Sequence, residues 1–68
     1  MNKALLRSIM ALYGDTNKDL ADYLDITEQS LSKKINENET EFKQGEIKLI
    51  KIRYGLTADQ LDLIFFAD

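Results

Sequence analysis

Sixty-eight residues give room for one domain, 1–68, with one modest core, and 9 Lys plus Arg against 12 Asp plus Glu leave a net charge of −3. A chain of this size has little left over for a sizeable active-site cleft. The absence of both Cys and His also removes disulfides, thiol chemistry, the usual zinc ligand sets and histidine base catalysis. No enzyme is expected, because the many carboxylates come without a nucleophile motif or a metal-ligand cluster and read as solvated helix surface.

Taken in order, the chain predicts five helical segments and no strand, with no proline and no low-complexity linker: a compact all-α, five-helix bundle. The first helix is expected from about Lys3 to Tyr13, where Leu5, Leu6, Ile9, Leu12 and Tyr13 keep helical spacing, and Gly14 supplies a left-handed stop. The opening MNKALLRSIMALYG is too amphipathic for a secretory signal, and no apolar run approaches a membrane span. Together with the lack of Cys, this predicts a cytoplasmic protein with no cofactor.

The stretch NKDLADYLDITEQSLSKKIN, Asn17 to Asn36, carries the most information. Leu20, Ala21 and Leu24 share one face of a short second helix, Ile26 follows a tight turn, and Leu31 and Ile35 share a face of a third. This is the helix-turn-helix pattern, in which Ala21 is the small side chain needed where two steeply crossed helices touch. Thr16 caps the second helix, with Asp19 three residues on as a weaker relative of the capping box. Asp25 stands in the turn where glycine is commonest, and is among the few other residues that accept a left-handed backbone. Thr27 caps the third helix, and Ile26 is placed to pack on Leu31 as a hydrophobic staple. At about 100° per residue, burial of Leu31 and Ile35 turns Gln29, Lys33 and Asn36 outward, with Glu28 and Ser32 on the flank.

Glu37 to Phe42 reads as a polar loop anchored to the core by its terminal aromatic. The fourth helix turns Ile47, Ile50 and Tyr54 inward, with Leu49 and Ile52 nearer its edges, and ends at Gly55. Leu56, Thr57, Gln60 and Leu61 then form a staple and a full capping box, the sharpest boundary in the chain. The closing LDLIFFAD holds more apolar residues than one face of a last helix can bury. Leu61, Ile64 and Phe65 fit an inward stripe, which leaves Leu63 and Phe66 as candidate dimer contacts. The alternative is that both aromatics close the monomer's own core.

The order TNKDLADYLDI, TEQSLSKKIN, then Phe, GEI, YGLT and a terminal Phe pair resembles the Cro and phage-repressor type of helix-turn-helix domain, the XRE family. It is most similar to small regulators encoded by phages and prophages of Gram-positive bacteria, and the likeness covers most of the chain. The resemblance implies a lambda-repressor-like five-helix domain, a homodimer on a pseudo-palindromic double-stranded DNA operator, and transcriptional control without a small-molecule ligand. The chain departs from the family pattern in having Asp25 for the usual turn glycine and Lys34 where an apolar residue is common, with Ile35 taking the inward role.

In this family the first two residues of the recognition helix, and those one turn later, read base edges, so the resemblance nominates Glu28, Gln29, Ser32 and Lys33. Gln29 and Lys33 also satisfy the periodicity argument. Gln can pair with adenine N6 and N7, Lys can donate to guanine O6 and N7, and Glu can accept from cytosine N4. Phosphate contacts are expected from Asn17 and Lys18, where backbone N–H groups and the helix dipole favour an anion, with Thr16, Thr27, Asn36 and Lys43 as further candidates.

Net acidity opposes DNA binding on average, but the distribution softens this. The nine basic residues lie between Lys3 and Arg53 and are matched by nine acidic ones before position 59, so the excess is Asp59, Asp62 and Asp68. The competing expectation is a protein-binding member of the same fold, an antirepressor or host-takeover factor, for which acidity is no handicap. Binding through several phosphates weakens steeply as salt rises, whereas binding through an apolar protein interface does not.

Overall fold

Each helix among the described residues starts at a polar cap, and the first four end where the backbone turns left-handed; those two devices set the architecture. The computed structural model describes residues 1–66, within which there are five helices and no strand. They are α1 Lys3–Leu12, α2 Asn17–Leu24, α3 Glu28–Ile35, α4 Gln44–Tyr54 and α5 Ala58–Phe65. A Cα radius of gyration of 10.8 Å is that of a compact globule, for which about 11 Å is expected at this length. No helix among the described residues is long and apolar enough to cross a membrane.

Four side chains supply the helix starts. Asn2 Oδ1 accepts from the Leu5 N–H at 3.1 Å, and the hydroxyls of Thr16, Thr27 and Thr57 accept from the N–H groups of Asp19, Ser30 and Gln60. Asp19 does more than the sequence suggests: its carboxylate accepts from the Thr16 N–H at 2.9 Å and completes a full reciprocal box. Gln60 does the same for Thr57, as expected. At α4 the cap residue, Lys43, has no acceptor in its side chain. Glu46 Oε1 accepts from the Lys43 N–H at 2.8 Å instead.

The stops of α1 to α4 share one geometry. Gly14, Asp25, Glu37 and Gly55 all have positive φ, at 72°, 59°, 53° and 60°. In each case the next residue's N–H reaches back five positions: Asp15 to Met10, Ile26 to Ala21, Asn38 to Lys33 and Leu56 to Lys51, at 2.8 to 3.0 Å. This is the Schellman motif, which satisfies carbonyls left open at the helix end. Glycine fills it twice and an acidic residue twice. Glu37 in this role, and a further left-handed residue at Glu39, are not foreshadowed by the sequence.

The core consists of Leu6 and Met10 from α1, Leu20, Ala21 and Leu24 from α2, Leu31 and Ile35 from α3, Ile50 and Tyr54 from α4, Leu56, and Ile64 from α5. Burying each large aliphatic member is favourable by roughly 1.5–3 kcal/mol before entropy is counted. Phe42 packs against this core as expected, edge-on to Phe65 with ring centroids 5.5 Å apart.

Two core assignments, Leu12 and Ile47, need correction. Leu12 lies about 140° round the helix from the centre of the stripe formed by Leu6 and Met10, and is 82% exposed. Ile47 is only half-buried, because the inward face of α4 is centred on Ile50 and Tyr54. At the C-terminus the inward stripe of Leu61, Ile64 and Phe65 is as expected, and Phe66 is exposed, so the two aromatics do not both close the core.

Candidate nucleic-acid interface

Helices α2 and α3, eight residues each, are joined by Asp25, Ile26 and Thr27 and pack against each other through Leu20, Ala21, Leu24 and Leu31. That packing fixes which residues of α3 meet solvent. Glu28, Gln29 and Lys33 are exposed and Ser32 is half-buried, so the nominated base-reading residues lie on the outward side and its flank.

The adjacent lysines of α3, Lys33 and Lys34, divide. Lys33 is exposed, whereas Lys34 is 5% exposed. Its Nζ donates to Glu46 Oε1 at 3.1 Å and to the Glu41 backbone carbonyl at 3.3 Å. The same Glu46 oxygen accepts from the Lys43 N–H, so one carboxylate joins the last turn of α3 to the start of α4. A buried ammonium at a position facing the core is tolerable only when paired and hydrogen-bonded, and here it is both. Lys33 is thereby the one lysine that α3 turns to solvent.

Candidate anchors fall at three helix starts. Thr16 is occupied as a cap: it accepts from the Asp19 N–H, and its hydroxyl donates to Asp19 Oδ2 at 3.0 Å. Asn17 and Lys18 are exposed on the first turn of α2. Lys18 Nζ lies 2.9 Å from Asp22 Oδ2, and that carboxylate raises the lysine pKa above its ordinary value. Both side chains are about two-thirds exposed (67% and 66%), so the pair is weak and the ammonium free to exchange partners. Thr27 is the α3 cap and is exposed, as is Lys43 before α4.

Asn36 is more engaged than its outward position implies. Its Nδ2 donates to the Ser32 carbonyl at 3.0 Å and to Ser32 Oγ at 3.4 Å, while Oδ1 accepts from Lys3 Nζ at 3.2 Å. It caps the C-terminal end of α3, steadies Ser32 and brings a lysine of α1 to that end of the helix. Sequence spacing gives no sign of the Lys3 contact, made across 33 positions.

A second set of polar contacts supports α2 from behind. Arg53 of α4 binds Asp15 with two parallel hydrogen bonds, Nε to Oδ2 at 2.7 Å and Nη2 to Oδ1 at 2.8 Å, and Tyr54 donates to Oδ2 at 2.7 Å. The guanidinium stands 4.7 Å from the centroid of the Tyr23 ring of α2, and Tyr23 donates to the Leu49 carbonyl at 3.0 Å. Tyr13 donates to the Tyr54 carbonyl at 2.9 Å with the two rings edge-on. The Arg53 hydrogen bonds hold the Asp15 carboxyl below the usual carboxylate range, and Asp15 in turn raises the Arg53 pKa. Burial pushes the Tyr54 phenol up, so that it stays a donor.

No buried side-chain nitrogen or oxygen among the described residues lacks a hydrogen-bond partner, and no group of three or more acidic residues there is placed to hold a metal ion. The polar chemistry of the interior is thus spent on fixing helices, and what is left for a partner is on the surface. Compared with known protein families, curated proteins and solved structures, the chain matches none.

Proposed function

We propose that α2 and α3 form a helix-turn-helix and that the protein is a sequence-specific DNA-binding transcriptional regulator of the Cro or phage-repressor kind. The observation that carries this reading is the outward face of α3: Glu28, Gln29, Ser32 and Lys33 stand clear of a helix whose opposite face is buried through Leu31, Lys34 and Ile35. Gln29 pairs with adenine and Lys33 donates to guanine in the major groove, each contact supplying about 1–3 kcal/mol of base discrimination. Glu28 balances the α3 dipole and can accept from cytosine N4. Asn17, Lys18 and the first-turn N–H groups of α2 take phosphate, joined by Lys43 and the hydroxyl of Thr27. Thr16 and Asn36 act mainly as caps, and Asn36 places Lys3 beside the end of α3. Catalysis, cofactor and small-molecule ligand have no part in this reading, which places the protein in the cytoplasm.

The net charge of −3 favours a second reading, in which the same domain docks on a protein as an antirepressor or host-takeover factor. One experiment separates the two. Purified protein is used to select bound sequences from a random duplex library at low salt, and the affinity of the winners is followed as salt rises. The DNA-binding reading predicts an enriched inverted repeat whose affinity falls steeply with salt. Folded protein that enriches nothing would favour the protein-binding reading.

A further inference from the structure

A groove runs between α4 and the end of α5, lined by Ile47, Lys48 and Lys51 from the first helix, Leu61 from the second and Phe66 just after it. Ile47 and Leu61 are half-buried, so each keeps an apolar flank that the core does not cover, and Phe66 is 63% exposed. Lys48 and Lys51 are exposed and stand at i and i+3, which puts both ammonium groups along one side of the groove. Lys18, Lys34 and Arg53 are ion-paired within the chain, whereas Lys48 and Lys51 have no ion-pair partner among the described residues. On a chain of net charge −3, uncommitted positive charge and uncovered apolar surface coincide here.

We propose that this groove docks an acidic amphipathic segment of another protein, its carboxylates on Lys48 and Lys51 and its apolar side chains against Ile47, Leu61 and Phe66. Charge and shape together select that occupant. A nucleic-acid backbone would satisfy the lysines but set phosphate against the apolar lining, and a flat bilayer does not enter a concave groove. A helical segment carries carboxylates one turn apart beside an apolar stripe, which matches the spacing of Lys48 and Lys51 and the apolar residues next to them. Asp59 and Asp62, exposed on the other side of Phe66, repel such a segment and confine it to the α4 side. A volume of about 570 Å³ gives room for a few side chains rather than for the whole face of a partner, so binding is modest and weakens with salt. No residue assigned to base reading or phosphate lines the groove, so docking is independent of DNA binding and leaves α2 and α3 free.

Fluorescence anisotropy of the full chain with a labelled helix-forming peptide tests it, the peptide having Leu at i, i+3, i+4 and i+7 and Glu beside that stripe, with a second peptide carrying Lys for Glu. Far-UV circular dichroism verifies the fold of each variant. Wild type should bind the Glu peptide and not the Lys peptide, and amide shifts should move at Ile47, Lys48, Lys51 and Leu61 while those of α2 and α3 stay in place. The reversed variant Lys48→Glu/Lys51→Glu should lose the Glu peptide by about tenfold or more and gain the Lys peptide. Phe66→Ser should weaken both pairings. The control Lys3→Glu/Arg7→Glu, which changes net charge equally on α1, should alter binding by no more than about twofold, the residual effect of screened charge. Equal losses from the two double variants would reduce the effect to diffuse attraction and overturn the proposal. So would a reversed variant that fails to take the Lys peptide, or displacement of the Glu peptide from wild type by random-sequence duplex, by phosphatidylglycerol vesicles or by excess unlabelled chain.

Discussion

The pairs α2–α3 and α4–α5 are built from the same local instructions and come out with different surfaces. Each has a left-handed residue, then an apolar residue, then a threonine cap: Asp25, Ile26 and Thr27 in one, Gly55, Leu56 and Thr57 in the other. The carbonyl that receives the long back-bond stands five positions before each apolar residue, yet it belongs to buried Ala21 in the first pair and to exposed Lys51 in the second. The first pair closes tightly on itself and turns a polar face outward on α3. The second leaves a groove beside α5 and turns outward a face of carboxylates and apolar side chains. The turn code thus fixes where helices begin and end, and the residues between the turns decide what each pair offers to a partner.

The largest effect is expected at the contact that joins the two pairs. Glu46→Ala removes the partner of buried Lys34 and should cost about 3–5 kcal/mol, enough to unfold a domain of this size, whereas the double replacement Lys34→Met/Glu46→Gln, which removes both charges, should be nearly neutral. Urea unfolding midpoints of the two variants measure this, and a loss in the double variant as large as that of Glu46→Ala would show that the ion pair itself, rather than the stranded charge, stabilises the fold.

Next comes the difference between the equivalent positions Ala21 and Lys51. Ala21→Leu should cost about 1–3 kcal/mol by overpacking the α2–α3 contact. Lys51→Leu should stay within about 0.5 kcal/mol, as surface changes do. Equal thermal midpoints for the two would remove the distinction between a closed and an open helix pair.

The turn residues themselves should differ by less. A Cβ at Gly55 meets no atom within 4 Å, so Gly55→Ala carries only the left-handed backbone penalty, about 1 kcal/mol. The exchange Asp25→Gly should stabilise by up to about 1 kcal/mol, relieving the same strain in the other pair. Opposite signs in thermal melts would establish that both turns use one backbone state.

The smallest effect is a pH dependence behind α2. The folded-state pKa of Asp15 lies below its unfolded value of 3.8, so its contribution to stability is complete at neutral pH and is lost as pH falls through the folded pKa. Wild type should therefore lose stability below about pH 4, and Asp15→Asn, already lacking the ion pair, should lose less over the same range. Parallel acid melts would contradict this role.

Much of the fold is legible in the sequence because it is written locally. The Thr57–Gln60 box, the glycine stops at Gly14 and Gly55, the left-handed Asp25 and the inward stripe of Leu61, Ile64 and Phe65 all follow from spacings of a few residues. What the sequence conceals is long-range. The Arg53–Asp15 bond spans 38 positions, and nothing in the periodicity of either segment signals it. Lys34 is an intermediate case: the sequence shows a lysine where an apolar residue is common, but not that it is buried beside Ile35 or that Glu46 receives it. For the candidate interface, helical spacing places Gln29 and Lys33 outward, while the splitting of the two lysines and the use of Asn36 as a cap depend on neighbours that α3 meets only in the folded chain.

The central claim is that α3 reads base edges while the start of α2 holds phosphate. It is tested most directly by measuring Lys33→Ala and Lys18→Ala against a selected duplex and its single-base-pair variants over a range of salt. The account predicts that Lys33→Ala loses about 1–3 kcal/mol on the selected duplex and relaxes preference at one base pair, while Lys18→Ala weakens binding to all duplexes alike and reduces the salt slope by about 1. Uniform losses from both, with no base-pair preference disturbed, would contradict it.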